Sequence, residues 1–316
     1  MREGEPQFEA DILDRETPLS VDEIANARGP EEKIFPSSVG KTRYEYYFGD
    51  ISVSILRKGI AADDFEKNKE RILAVLKSKE EGEILPCEKL LVNALVEQYR
   101  IAKMFGIKET EVWSSLLADY THEGSSMMSY MGDEVYMLSL AQHIDSLKKE
   151  GATNEQVITE ISGQIFHESI HNGKTEISGH NSPFGEVTPI TGQLAYYLAK
   201  RYRGPKGYDA PRSLLGLKKI ESSENPVDLA VRDHDIATCL SAELLLEGLT
   251  ATYPEIAKDI KLNTALDACE ELIARIPVEK GDSLIPCLKG VIVESTNENK
   301  LREVVKKLKE QNEKKS

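Results

Sequence analysis

The sequence predicts an α+β protein, mainly helical with a small mixed sheet. Three observations lead there. Apolar residues recur at three- and four-residue spacing through most of the chain, which places them on one face of successive helices. Alternation of period two is confined to one early segment, where Ile51, Val53 and Ile55 alternate with Ser52 and Ser54. Capping residues and Pro or Gly punctuate the ends of the helical stretches.

In chain order, residues 1–42 are polar and acidic with few bulky apolar groups, and read as a flexible arm. Tyr44 to Leu56 reads as a β run. Asp64 to Lys79 carries Phe65, Ile72, Leu73, Val75 and Leu76 on one helical stripe, and Cys87 to Phe105 repeats the pattern with Leu90, Leu91, Leu95, Val96 and Ile101. Pro86 suits the first turn of that second helix and Gly106 its end. Thr121 to Ser129 reads as a loop and Glu134 to Leu140 as a strand apolar on both faces. Thr153 or Asn154 can cap a helix reaching about Asn172, followed by a Gly-, Asn-, Ser- and Pro-rich loop over 173–185. Thr188 and Pro189 open a helix ending near Gly204. After a linker over 204–225, Asn225 and Pro226 start a long helix to Thr252 that Pro254 closes. Further helices are expected over about Ala257 to Arg275 and, with mixed charge, Leu301 to Glu310. No internal repeat is visible.

Composition narrows the function classes. The chain has 316 residues and a formal net charge of −14, which disfavours nonspecific attraction to nucleic acid or an anionic membrane. No apolar run approaches the roughly 20 residues of a spanning helix, and Met1 to Asp14 lacks the apolar core of a signal peptide. Cys87, Cys239, Cys269 and Cys287 lie far apart, with neither a CxxC pair nor a disulfide framework. These features predict a cytoplasmic protein with reduced thiols.

Chemistry concentrates in Ile165-Phe166-His167-Glu168-Ser169-Ile170-His171. Residues at i and i+4 share a helical face, so both imidazoles can bind one cation at about 2.0–2.1 Å from each nitrogen. Glu168 can then reach a water on that cation and take its proton as general base. Two neutral nitrogens suit Zn²⁺ better than Mg²⁺ or Ca²⁺, which prefer oxygen ligands.

The segment resembles the zincin metallopeptidases, whose HExxH motif lies on an active-site helix. The resemblance covers the strand at 134–140 through the helix at 189–203, in the family's order of a cleft-lining strand followed by the active-site helix. Ser169, Ile170 and Asn172 are uncharged as the longer pattern prefers, whereas Gly173 stands at a usually apolar position. It implies a zincin-like catalytic core and a peptide or protein substrate.

A catalytic zinc usually keeps three protein ligands. The extended HExxHxxGxxH version fails, because Lys174 and Ile177 stand where glycine and histidine are needed. The gluzincin-like arrangement, with a later glutamate, remains. Glu186 is the first choice, just ahead of the helix with Gln193, Tyr196 and Tyr197. Glu247 is second, on a face with Leu240 and Leu244 and followed by Gly248-Leu249; His180 is third, and Glu176 is too near the motif to swing back. Tyr196, Tyr197, Tyr202 and His234 are candidates by type for stabilising charge on a substrate oxygen.

The division expected is an acidic arm (1–42), an N-terminal β/helical part (43–130), the zincin-like core (131–278) and a C-terminal segment with a charged helix (279–316). The expected activity is zinc-dependent hydrolysis, most naturally of peptides. The alternative is a non-catalytic, zinc-stabilised interaction protein that keeps the fold.

Overall fold

The computed structural model describes residues 17–29, 32–34, 41–58, 86–107, 115–119, 128–131, 134–137, 147, 149, 151–171, 186–200, 234–261 and 264–315. Among these the chain is mainly helical with one mixed sheet, an α+β protein. None of the described helices is long and apolar enough to cross a membrane. The expected helix at 64–79 and the segments at 173–185 and 204–225 lie outside the described residues.

The contacts divide the chain into two compact units, one of residues 1–103 and 112–165, the other of 104–111 and 166–316. These units do not coincide with the four-part division expected at 42/43, 130/131 and 278/279. Local composition suggested those boundaries, but packing is set by contacts distant in sequence.

The first unit holds helix α1 (Val21–Ala27), strands β1 (Glu32–Ile34), β2 (Lys41–Phe48) and β3 (Ile51–Lys58), and most of helix α2 (Pro86–Phe105). Strands β4 (Ser115–Asp119), β5 (Met128–Met131) and β6 (Glu134–Met137) follow, with the first turns of helix α3 (Asn154–His171). Strand order is β1-β2-β3-β4-β6-β5. β3, β4 and β6 run parallel, and the other pairings are antiparallel. The single β run expected over 44–56 is a hairpin. Gly49, at φ 64°, turns the chain so that Phe48 faces Ile51. The pairs Tyr44–Ile55, Tyr46–Val53 and Phe48–Ile51 all bury one face, so a one-residue slip would expose the whole set. Met128 and Ser129 belong to β5 rather than to a loop, because they pair with Met137 and Tyr136. β6 is therefore an interior strand with β5 at the edge, and residues 138–140 of the expected strand lie outside the described residues.

The expected arm is partly built into this unit. Ser20 and Glu23 form a reciprocal capping box at the start of α1, and Leu19 and Ile24 are fully buried. The two apolar side chains that anchor the segment are too few to stand out against its acidic composition.

The second unit holds the last residues of α2 and α3 and helices α4 (Val187–Ala199), α5 (His234–Thr252), α6 (Pro254–Ala257), α7 (Ala265–Ala274), α8 (Leu284–Glu294) and α9 (Glu298–Lys315). A 3₁₀ turn at Val278–Ser283 precedes α8. α5 packs against α4, α7, α8 and α9, so it is apolar on several sides. The helix expected over 257–275 begins only at Ala265: α6 ends at Ala257, and α7 starts after Thr264, whose hydroxyl accepts from the Asp267 N–H. Cys239, Cys269 and Cys287 are free thiols. Burial pushes the Cys239 thiol up to about 11, with the Glu243 carboxylate adding to it.

Candidate metal centre

Helix α3 begins with a reciprocal cap. The Gln156 N–H donates to Thr153 Oγ1 at 3.1 Å, and the Thr153 N–H donates to Gln156 Oε1 at 2.8 Å. Within the first unit, Gln98 Nε2 of α2 donates to the Ser162 carbonyl at 2.8 Å, and Ser162 Oγ donates to the Ala94 carbonyl at 3.2 Å. The helix runs on to His171, so His167 and His171 lie one turn apart on one face. Their rings meet edge to face with centroids 4.8 Å apart, and their Nε2 atoms are 3.1 Å apart.

The third member comes from a separate helix. Glu186 stands at the N-cap of α4, where a carboxylate ordinarily accepts from the first N–H groups. Here it makes no side-chain cap bond. Its Oε2 lies 3.2 Å from both His167 Nε2 and His171 Nε2. The approach of α4 depends on Gly192, where a Cβ would lie 2.3 Å from Ile170 Cδ1 and 3.4 Å from Phe166 Cε1. Phe166 and Ile170 each immediately precede a histidine of the pair, so the contact that seats α4 adjoins that pair.

The three atoms form a nearly equilateral triangle. Ligand atoms around a tetrahedral zinc with bonds of about 2.0–2.1 Å are separated by about 3.3 Å. Edges of 3.1, 3.2 and 3.2 Å fit that spacing. His167 is the deepest of the three, its side chain 8% exposed against 18% for Glu186 and 27% for His171. Among the described residues, these three form a group that could hold a metal ion. With two imidazole nitrogens and a carboxylate oxygen, the donor set suits such an ion.

The electrostatics show what the cluster requires. Burial alone would raise the Glu186 carboxyl, but hydrogen bonds and charge from His167 and His171 hold it well below the usual carboxylate range. Burial alone would lower the His171 imidazole, but its bond to Glu186 and the charges of Glu186 and Glu168 raise it. Three electron-pair donors converging this closely call for a cation, either a proton or a metal ion.

No protein-family model, curated protein or solved structure matches the chain.

Glu168 is half-buried on α3 and acts on His171 through its charge without belonging to the ligand group. Glu247, the second choice for the third ligand, is held elsewhere: its Oε1 accepts from Lys300 Nζ at 2.7 Å and Lys307 Nζ at 3.1 Å, both from α9. The Gly248 beside it serves packing, since a Cβ there would lie 2.3 Å from Val291 Cγ2 of α8. His180, Glu176 and Tyr202 lie outside the described residues, as does the side chain of His234, which opens α5. Tyr196 and Tyr197 are buried in α4, and the Tyr197 hydroxyl accepts from Gln193 Nε2 at 2.9 Å. Sequence reasoning missed Gly192. A glycine inside an otherwise apolar helix costs about 1 kcal/mol against alanine, which was the available signal for a close packing contact.

Proposed function

We propose that this chain is a zinc-dependent hydrolase of the HExxH type, a gluzincin-like metallopeptidase in which His167, His171 and Glu186 hold the metal and Glu168 is the general base. The observation that carries the reading is the position of Glu186 Oε2, 3.2 Å from both imidazole nitrogens. A helical histidine pair arises from spacing alone; a carboxylate brought to both nitrogens from another helix does not. Two imidazole nitrogens and one carboxylate oxygen favour zinc over the oxygen-seeking Mg²⁺ and Ca²⁺. Among the described residues three such groups converge, the number of protein ligands a catalytic zinc usually keeps.

Bound zinc would polarise a substrate carbonyl and bring water toward a pKa of about 7. Glu168, outside the ligand set and one residue from His167, takes the proton as water attacks the peptide carbonyl and delivers it to the departing amine. Its charge also favours the cationic form of His171 when metal is absent.

The test is a pair of variants. Glu168→Gln should retain zinc while hydrolysis of an unstructured protein substrate falls by about 100-fold or more. His171→Ala should lose the zinc. Undiminished turnover by Glu168→Gln would sink the mechanism. Metal analysis finding no zinc in the protein after incubation with zinc salt would sink the metal assignment itself.

A further inference from the structure

We propose that Ser241 and Thr191 are positioning residues for the metal centre, a buried hydroxyl pair that fixes the start of α4 and so directs the Glu186 carboxylate. The inference rests on the metal-binding reading above.

Val187 is the first residue of α4 and follows Glu186 directly. Its carbonyl oxygen accepts from Thr191 Oγ1 at 2.7 Å and from Ser241 Oγ at 3.0 Å, and the two hydroxyl oxygens are 2.9 Å apart. The three oxygens close a triangle. Each hydroxyl carries one proton, so two of the three contacts are donated at once, and every arrangement keeps at least one donor on the Val187 carbonyl. The bond from Thr191 is the back-bond a helical threonine often makes to its own preceding turn. That from Ser241 is of another kind, because Ser241 lies on α5, 54 residues away in sequence.

Both residues are fully buried. Ser241 sits on α5 beside Leu240, Ala242 and Leu244, all buried and apolar. An apolar residue at 241 would serve that contact for burial alone. A hydroxyl there instead ties α5 to the peptide that follows the third ligand. Gly192 seats α4 against Ile170, and Ser241 seats its first turn against α5. Together they limit both translation and rotation of the turn that carries Glu186. Groups that orient metal ligands are typically worth about 10- to 100-fold in metal affinity.

The experiment uses the full chain. Zinc affinity is measured by competition with a chromogenic chelator, and ligand geometry by the visible spectrum of the cobalt(II)-substituted protein. Ser241→Ala should bind zinc about 10- to 100-fold more weakly, with weaker cobalt absorption as the site moves away from four-coordination. Thr191→Ser, which keeps the hydroxyl, should bind like the unaltered chain. Leu288→Ala, a core truncation in α8, should lower the melting temperature and leave zinc affinity and the cobalt spectrum unchanged. If Ser241→Ala does not fold, Thr191→Val is measured in the same way. An affinity within about twofold of the unaltered chain, with the same cobalt spectrum, overturns the positioning role. Equal weakening by Leu288→Ala overturns it too, by reducing the effect to general stability. If the unaltered chain binds no zinc, the metal reading falls and takes this inference with it. If it binds tightly and the hydroxyl variants match it, only the inference falls.

Discussion

At the residue scale, what could be read depended on how local the geometry is. His167 and His171 are four positions apart, and a helix alone brings them together. Glu186 is reached only through the path of the chain after α3, so spacing could rank it but not select it. Glu247 shows the converse. It shares a helical face with apolar residues, but its carboxylate is held by Lys300 and Lys307, which lie 53 and 60 residues away. The contrast is testable. Glu186→Gln should weaken zinc binding by more than about tenfold, whereas Glu247→Gln should leave it unchanged. Titration calorimetry of the two variants decides between them, and the reverse order would return Glu247 to the ligand set.

The same cluster fixes a pH dependence. In the metal-free protein His171 is raised above 6.5, so its contribution to stability is full below that value and is lost as pH rises through its folded pKa. Glu186 is depressed below 4.5, so its contribution is present above that value and is lost as pH falls toward its folded pKa. The metal-free pair is therefore most stabilising between the two, with His171 protonated and Glu186 ionised. If the proposed zinc binds here it would displace the His171 proton, so its affinity should rise with pH across the titration of that imidazole. Chelator competition at pH 6 and pH 8 should show tighter binding at pH 8, with proton release measurable in weakly buffered solution. Equal affinity at both values would show that no proton competes at the site.

At the element scale, caps and periodicity made α2 and α3 legible, because the signals for both lie within a few residues of their ends. The α8 helix was not read: Gly290 in its middle is a poor helix residue, and burial of Leu284, Leu288, Val291 and Ile292 outweighs it. The expected 257–275 helix failed for the opposite reason, because an apolar period continues across a break that the Thr264 cap enforces. Neither case touches the site. The α3–α4 contact does, and Gly192 is its test. A Cβ at 192 would overlap Ile170 Cδ1, so Gly192→Val should destabilise the protein by about 1–3 kcal/mol through overpacking and should also weaken zinc binding. Adding Ile170→Val, which removes the methyl group that the new side chain meets, should recover part of both losses. Strict additivity of the two substitutions in urea denaturation would show that α3 and α4 do not meet there as described.

At the scale of the whole molecule, the mainly helical α+β class was legible from periodicity, but the grouping of its parts was not. Two of the divisions between the units, at 103/104 and 165/166, fall inside helices that sequence treats as one piece. The N-terminal segment shows how few residues can decide such a matter. Asn93 of α2 is buried and grips Leu19 by both backbone groups: its Oδ1 accepts from the Leu19 N–H at 2.6 Å, and its Nδ2 donates to the Leu19 carbonyl at 3.3 Å. With Leu19 and Ile24 seated in the core of the first unit, this fixes a stretch whose composition alone suggests a loose arm. Asn93→Ala would leave a buried N–H and carbonyl without that partner, at a cost of about 1–3 kcal/mol. Ser20→Ala removes only an exposed helix cap, at about 1 kcal/mol. Asn93→Ala should therefore be the more destabilising of the two in urea denaturation, and should speed proteolytic cleavage within residues 17–29 more than Ser20→Ala does. If both variants are cleaved at the same rate, the capping box rather than the asparagine holds the segment, and its attachment to α2 is incidental.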